Sequence, residues 1–460
     1  MSLAWFICSV DIILTALCIL INIESKSIKL SYSFDIINIY ISWGIIMRVI
    51  AIICGLLTSL LSCYLSANTT AAVPEKPYVL LVSIDGYRYD YNSLHSPNHL
   101  TDFAKHAATI TRFKPSFPTV TFPNHITLVT GLYPAHHGIV SNRFYNHALQ
   151  QPYAMNIKQA VTDGRFYHGV PLWSLAGQQG LKSATYFWPG SEAKIAGQRP
   201  NYWLPYRDNA PNNERVEQVL QWFNLAEDQR PQFVTLYFSD VDTAGHLFGP
   251  ESTNTYQAVQ KVDQAVGLLL AGIKALPFKV NVIITSDHGM ANVAGFERLY
   301  TDKLFVGNKA LKARFSFNND AAFSLVTATG ENKQQDLDAL KALTQKVPGL
   351  QFYRQQDIPA SLHFNNNPSI GDAILISNQH YITSTDARAG VVGKHGYDAS
   401  VISDMNTVLY AQGPAFNHVT VDYAENIHLY PLIADILGLT ITEPIDGRLS
   451  VLSPLLADSR

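Results

Sequence analysis

From residue 76 to residue 460 the chain contains no cysteine, and all four cysteines (Cys8, Cys18, Cys54 and Cys63) fall in the first 67 residues. No disulfide therefore supports the body of the protein, which excludes the small stapled class of exported domains. A body of this length buries enough surface to need none. Charge is scarce as well: Asp, Glu, Lys and Arg make up 15% of the chain, against roughly 25% in ordinary soluble domains. The formal net charge of -3 lacks the basic excess of a dedicated nucleic-acid binder, so no nucleic-acid-binding surface is expected. Pro/Gly runs are missing and aromatic residues reach 11%, which excludes a disordered chain. No internal repeat is visible, which excludes a solenoid or propeller. What is present is an apolar fraction of 47% over 460 residues, enough for one large core or a few ordinary ones.

Part of the charge deficit comes from the N-terminus. Residues 1–67 carry six charged side chains, Asp11, Glu24, Lys26, Lys29, Asp35 and Arg48. Two apolar stretches, Ser2–Ile23 and Val49–Ala67, are each long enough to cross a bilayer at about 1.5 Å per residue. The second also reads as a secretory signal that starts at Met47: a basic Arg48, an apolar run, then small residues before a polar segment. The run Leu60-Leu61-Ser62-Cys63 loosely resembles a lipoprotein cleavage site, although Leu61 is large for that pattern. The expectation is that Met47 is the true start or that everything before about residue 70 is removed. Two retained membrane helices are the alternative. Residues 1–75 are thus assigned to targeting or membrane insertion, with membrane contact through this segment where it is kept. The domain at 76–460 is placed in the periplasm or outside the cell.

The body alternates strand and helix. Tyr78–Ile84, Phe233–Phe238 and Val280–Thr285 are continuous apolar runs of strand length, as expected for strands buried on both faces. Between them, Asn213–Leu225 and Thr253–Leu276 place apolar residues at helical spacing, and a last helix is expected near Ala424–Leu437. This alternation predicts an α/β fold, a central mostly parallel sheet sandwiched by helices. Over about 296–375 the rhythm changes: the charged, helix-like stretch Lys333–Lys346 sits among short strand candidates, which predicts a small inserted subdomain.

Sites in such sheets lie at the carboxyl ends of the strands. Asp85 ends the first run, Asp242 and His246 follow the second in DTAGHLFGP, and Asp287-His288 directly follow the third, while His395 stands in GKHGYD. A DxxxH spacing or a DH pair is weak alone. Three carboxylates and three imidazoles at strand ends and in glycine-flanked turns form a set suited to two zinc-like ions. Such a pair can hold the attacking and leaving oxygens of an in-line displacement. For the nucleophile, Thr121 precedes a helix expected to begin at Asn124. It is read either as a simple helix cap or as a hydroxyl activated by the helix dipole and a metal.

At this point the chain resembles a known family. The order Asp85, Thr121, Asp242/His246, Asp287/His288, His395 is similar to the alkaline phosphatase superfamily. The strings TFPNHITLVTGLYPAHHGIVSN, YFWPGSE, RPNYWLPY, DTAGHLFGP, SDHGM, GKHGYD and ENIHLYPLIADILGL resemble the nucleotide pyrophosphatase/phosphodiesterase family over about residues 78–447. The resemblance implies an alkaline phosphatase-like fold and two zinc ions, one on Asp242, His246 and His395, the other on Asp85, Asp287 and His288 beside Thr121. It implies Thr121 as nucleophile, with Asn142 and the Thr121 amide binding a phosphate oxygen. Phe122 and Tyr206 fall where the family stacks a nucleobase. Val120 departs from the lysine common before the nucleophile, and Ser239-Asp240-Val241 from a more acidic, proline-containing segment. His125, His136 and His137 receive no metal role and are read as structural or solvated. The implied reaction is zinc-dependent hydrolysis of nucleotide phosphodiesters and pyrophosphates through a phosphothreonine, releasing nucleoside monophosphates. Action on lipid or choline-type diesters, and an inactive surface-binding protein of the same fold, are the competing readings.

Overall fold

The computed structural model describes residues 47–56, 76–385 and 391–457. The apolar stretch at 2–23 and the segment around Cys63 lie outside the described residues. Residues 47–56 are helical, and among the described residues no helix is long and apolar enough to cross a membrane. The contacts divide the chain at Glu75/Lys76, and the larger unit begins at Lys76.

Its centre is an eight-stranded sheet. In chain order the strands are β1 (Val79–Ile84), β2 (Ala108–Lys114), β3 (Ser183–Tyr186), β4 (Tyr202–Leu204), β5 (Phe233–Phe238), β6 (Asn281–Thr285), β7 (Thr407–Gln412) and β8 (Thr420–Glu425). Their order across the sheet is β8-β2-β7-β6-β1-β5-β3-β4. β7 runs antiparallel to both of its neighbours, and the other strands share one direction. The sheet is mostly parallel, as the alternation predicts.

Five helices matter for the site: α1 (Thr121–Thr130), α2 (Asn212–Phe223), α3 (Asp240–Phe248), α4 (Thr253–Lys274) and α5 (Leu429–Ile436). They cover both faces of the sheet, and the side-chain alternation of β1 shows how. Val79 and Leu81 pack into one core with Leu128 and Val129 of α1 and Leu432 and Ile433 of α5. Leu80, Val82 and Ile84 pack into the other with Val216 and Val219 of α2 and Val259, Val262 and Val266 of α4. Successive strand residues point to opposite faces, so a strand covered on both sides must be apolar throughout. Truncating Leu81 to alanine there is expected to cost about 2–5 kcal/mol.

Two expected boundaries move. Thr420–Glu425 is a strand paired in parallel with β2, and the last helix begins only at Leu429. The buried Ala424 belongs to a strand face, not to the helical stripe expected from residue 424. The helix expected from Asn124 begins instead at Thr121, behind an extended Val120. Pro123, the third residue of that helix, is tolerated because first-turn amides have no intrahelical partner to lose.

Residues 297–383 build a separate arrangement. Four antiparallel strands stand in the order Phe315–Asp320, Phe323–Ala328, Ala373–Ile376, Gln351–Arg354, accompanied by the helix Lys333–Thr344. Val326, Leu337, Leu340 and Leu375 form a small core of their own, while Phe323, Leu325 and Ile374 join the core under α1.

Candidate active site

Register brings the aspartates together. Ile84 of β1 lies beside Phe238 of β5, and Ser83 lies beside Thr285 of β6, so the three central strands end level with one another. Asp85, Asp242 and Asp287 leave from adjacent ends. Gly86 allows the closest approach: its φ is +71°, and a Cβ there would lie 2.9 Å from Asp242 Cα. Asp242 and His246 sit one turn apart on α3 and share a face. His395 arrives from Gly393–Lys394, which pairs with Ala291–Asn292 just after His288.

All six predicted ligands meet. Two groupings have ligand atoms mutually within 4.8 Å: Asp242, His246 and His395, and Asp85, Asp242 and His288. Asp242 thus stands in both groups, and Asp287 adjoins the second, with Oδ2 3.0 Å from His288 Nε2. His246 Nε2 is 3.2 Å from His395 Nε2, and the rings of His288 and His395 stack at 3.6 Å. Thr121 Oγ1 lies 3.2 Å from His288 Nε2.

The residues fit metal ions on three counts. First, Asp85 Oδ1, Asp242 Oδ1 and Asp287 Oδ2 are buried with no hydrogen-bond partner; leaving such atoms bare is costly unless a cation takes them. Second, each imidazole has its Nδ1 against a backbone carbonyl: His246 to Gly393 O at 2.9 Å, His288 to Gly289 O at 3.0 Å and His395 to Thr119 O at 2.9 Å. A carbonyl only accepts, so Nδ1 carries the proton and Nε2 is left as the ligand atom. Third, burial and the neighbouring carboxylates Asp287 and Asp242 push Asp85 well above the usual carboxylate range. That repulsion is what a bound cation relieves. Burial would raise Asp287 too, but His288 and His125 outweigh it and hold its carboxyl well below the usual range. Burial keeps His246 and, more strongly, His395 below the ordinary imidazole value, so both present neutral rings near pH 7.

Tyr237, which the sequence reading missed, donates its hydroxyl to Asp85 Oδ2 at 2.6 Å. Burial, then Asp85 itself, raises this phenol well above 10, which keeps the donor protonated. A tyrosine inside an apolar strand run carries no sequence signal of such a role. His125 and His137 are fully buried rather than solvated, whereas His136 is half-exposed beside Asp446.

Thr121 is the first residue of α1 and not its cap; that position belongs to Val120, which offers no capping side chain. Thr121 brings the first turn of α1 to the cluster. Asn142 accepts the Phe122 N–H through Oδ1 at 2.8 Å, so its NH₂ group is the part left for a ligand. Beside Thr121 opens a cavity of about 240 Å³, lined in part by Asp85, Phe122, Phe187, Trp188, Tyr206 and Asp242. Phe122 packs edge-on to Tyr153. Tyr206 is held by its hydroxyl on Asp208 at 2.9 Å and by Phe187 and Tyr237 beside its ring. A larger open groove of about 790 Å³ behind α3 holds none of the cluster's ligands.

The chain is similar to known proteins over most of its length. The family described as Type I phosphodiesterase / nucleotide pyrophosphatase matches residues 79–398. Human ectonucleotide pyrophosphatase/phosphodiesterase family member 1 is 34% identical over 397 residues, covering 83% of this chain and 42% of the relative. Venom phosphodiesterase 2 of Crotalus adamanteus is 34% identical over 381 residues, covering 79% and 46%. The chain therefore spans less than half the length of these relatives. Among solved structures, an inactive form of murine ectonucleotide pyrophosphatase / phosphodiesterase 5 in complex with AMP superposes with a TM-score of 0.77 at 28% identity, covering 83% of this chain and 100% of that one. The fold is alkaline phosphatase-like, and the chain belongs to the type I phosphodiesterase / nucleotide pyrophosphatase family.

Proposed function

We propose that this protein hydrolyses phosphodiester and pyrophosphate bonds in nucleotides and releases nucleoside monophosphates, with Thr121 as nucleophile and two zinc ions as cofactor. The observation that carries the reading is the set of three buried carboxylate oxygens without a hydrogen bond, gathered with three Nε2 atoms whose rings are fixed through Nδ1, with Thr121 Oγ1 3.2 Å from the Nε2 of His288. Asp242, His246 and His395 would hold one ion, and Asp85, Asp287 and His288 the other beside Thr121. Bound there, the ions supply positive charge for the oxygens that attack and leave phosphorus and lower the pKa of the attacking hydroxyl.

The chain's own groups do the rest. Thr121 Oγ1 gives up its proton and attacks phosphorus as the bond to the leaving oxygen breaks and that oxygen takes up a proton, which leaves the nucleotide esterified to Thr121 as a phosphothreonine nucleotide; water then displaces Oγ1, which regains a proton, and the nucleoside monophosphate departs. The amide end of α1 faces the phosphate, where the helix dipole favours an anion. The Asn142 NH₂ group and the Thr121 amide bind a non-bridging oxygen. Val120, Phe122, Pro123 and Asn142 bring no basic side chain to Thr121, which suits the single charge of a diester better than the double charge of a monoester. Phe122 and Tyr206, which line the same cavity, would stack the base; stacking tolerates any base and contributes roughly 1–3 kcal/mol.

The test is a substrate panel on the zinc-loaded protein. Hydrolysis of p-nitrophenyl thymidine monophosphate, dinucleoside polyphosphates and ATP, with nucleoside monophosphate as product, is the expected result. Preference for choline or lipid diesters, or for simple monoesters, would overturn the nucleotide assignment. We also place the domain outside the cytoplasm, periplasmic or secreted, a reading supported by relatives named ectonucleotide and venom enzymes. A mature N-terminus between about residues 63 and 75, found by mass spectrometry, is expected of a cleaved signal; a peptide from residues 1–46 in the mature protein would favour a retained anchor.

A further inference from the structure

We propose that His125 is a positioning residue for the reaction at Thr121: its ring is a strut tying the nucleophile's own backbone to the strand that carries Asp85 and to the flank of Asp287. The proposal rests on the reading of Thr121 as nucleophile. His125 lies one helical turn after Thr121 on α1 and is fully buried. Its Nδ1 is 2.9 Å from the Thr121 carbonyl oxygen and 3.3 Å from Asp287 Oδ2. Its Nε2 is 2.8 Å from Ser83 Oγ. The carbonyl can only accept, so Nδ1 bears the hydrogen and Nε2 accepts from the Ser83 hydroxyl. Ser83 lies in β1 two residues before Asp85, which directly follows the end of that strand. The ring therefore joins Thr121, the strand end at Asp85 and the loop after β6 through one rigid group. Trp188 and Tyr237 stand edge-on to it at 4.9 and 5.2 Å, and Trp188 Nε1 donates to the His125 carbonyl at 3.1 Å.

Asp287 Oδ2 has no hydrogen-bond partner. The Nδ1–H edge thus steadies this oxygen electrostatically without occupying it, which leaves it available for an ion. A histidine that only fills the core looks different, and His137 supplies the contrast. It is equally buried, but its Nε2 meets Thr127 Oγ1 at 3.1 Å and Pro123 O at 3.0 Å, both within α1 and neither in the cluster.

The experiment compares four variants with wild type at full zinc loading, checked by metal analysis, on p-nitrophenyl thymidine monophosphate. His125→Gln keeps a group near Ser83 and loses the donor at the Nδ1 position. His125→Asn keeps that donor and loses the reach to Ser83. Ser83→Ala removes the far end of the strut, and His137→Gln is the packing control. His125→Gln is expected to lower kcat about 10–100-fold, the usual range for a group that orients a metal ligand, with KM held within about twofold. His125→Asn should recover a large part of that loss, and Ser83→Ala should lower kcat by several-fold. His137→Gln should lower Tm and leave kcat at 25 °C unchanged. A kcat for folded His125→Gln within about twofold of wild type, or a loss equalled by His137→Gln, overturns the proposal. Should His125→Gln fail to fold, unchanged kcat in both Ser83→Ala and His125→Asn overturns it. Turnover retained by Thr121→Ala, measured alongside, would sink the nucleophile reading itself, whatever the pattern at residue 125.

Discussion

The two halves of the cluster share Asp242 but meet solvent differently. On the inner side, Asp85, Asp287 and His288 are at most 1% exposed, and Asp287 and Asp85 lean on Gly86 N, Ser286 Oγ and Tyr237 Oη. On the outer side, the Asp242 and His246 side chains are 18% and 21% exposed. The inner half is over-determined and adjoins the Thr121 hydroxyl. Apart from His395, which is 2% exposed, the outer half is more open. A single cluster thus combines a fixed wall and an accessible one.

The largest expected effect tests the fixed wall. Thr121→Ala should lower kcat by at least about 10³-fold while both ions stay bound, since losing a nucleophile removes the chemical step itself. Turnover above that limit, or a phosphorylated residue other than Thr121 in a trapping experiment, would break the comparison.

Next come the ions. Asp287→Asn and His246→Ala should each lose one zinc per chain and roughly 10²-fold or more in rate. Under limiting chelator the wild type should release its outer ion first, because that side is the solvated one. Simultaneous loss of both ions, followed by metal analysis over time, would show that the difference in exposure has no consequence for exchange.

A smaller effect belongs to the cavity. Tyr206→Ala should lower kcat/KM for nucleotide substrates roughly 5–100-fold, the equivalent of one stacking contact, and leave bis-p-nitrophenyl phosphate nearly unchanged. Equal loss on both would mean that Tyr206 only packs against Phe187 and Tyr237.

The smallest lies outside both halves. His136 Nδ1 is 2.7 Å from Asp446 Oδ2. The hydrogen bond to Asp446 raises the His136 pKa against burial, and for Asp446 the contacts with His136 and Tyr133 outweigh burial and lower it. The raised imidazole stabilises the fold below its unfolded value near 6.5 and stops doing so as pH rises through its folded value. The lowered carboxylate stabilises above its unfolded value near 3.8 and stops as pH falls through its folded value. His136→Ala should therefore cost at most about 1 kcal/mol between roughly pH 4 and 6.5, fading above, in urea melts. A pH-independent cost would assign the residue to packing.

Much of this was legible in the sequence, for a physical reason. The strands at 79–84, 233–238 and 281–285 are buried on both faces and must be apolar throughout, so they stand out, and the polar residues after them mark strand ends. Edge strands give less. Thr420–Glu425 is half-exposed with charges at Asp422 and Glu425, and its buried Ala424 mimics the start of the helix that follows. In the site, residues at strand ends could be read, whereas Tyr237 and Ser83 could not. Each lies inside an apolar run, and its partner is 152 residues away for Tyr237 and 42 for Ser83. Contacts between segments so distant in the chain leave no local pattern. The true start of α1 at Thr121 was signalled only by Pro123, which favours a helix's first turn.

Gly86 carries a lesson for recognising relatives of this chain. The spacing between Asp85 and Asp242 depends on an atom that position 86 does not have, since any Cβ would press on Asp242 Cα at 2.9 Å. A relative could keep all six of these acidic and histidine residues and replace this glycine, and the carboxylates at the two positions would no longer stand so close. Counting ligands would pass such a sequence as competent. Reading the residue after the first aspartate would mark it as altered, with the defect located in spacing and not in chemistry.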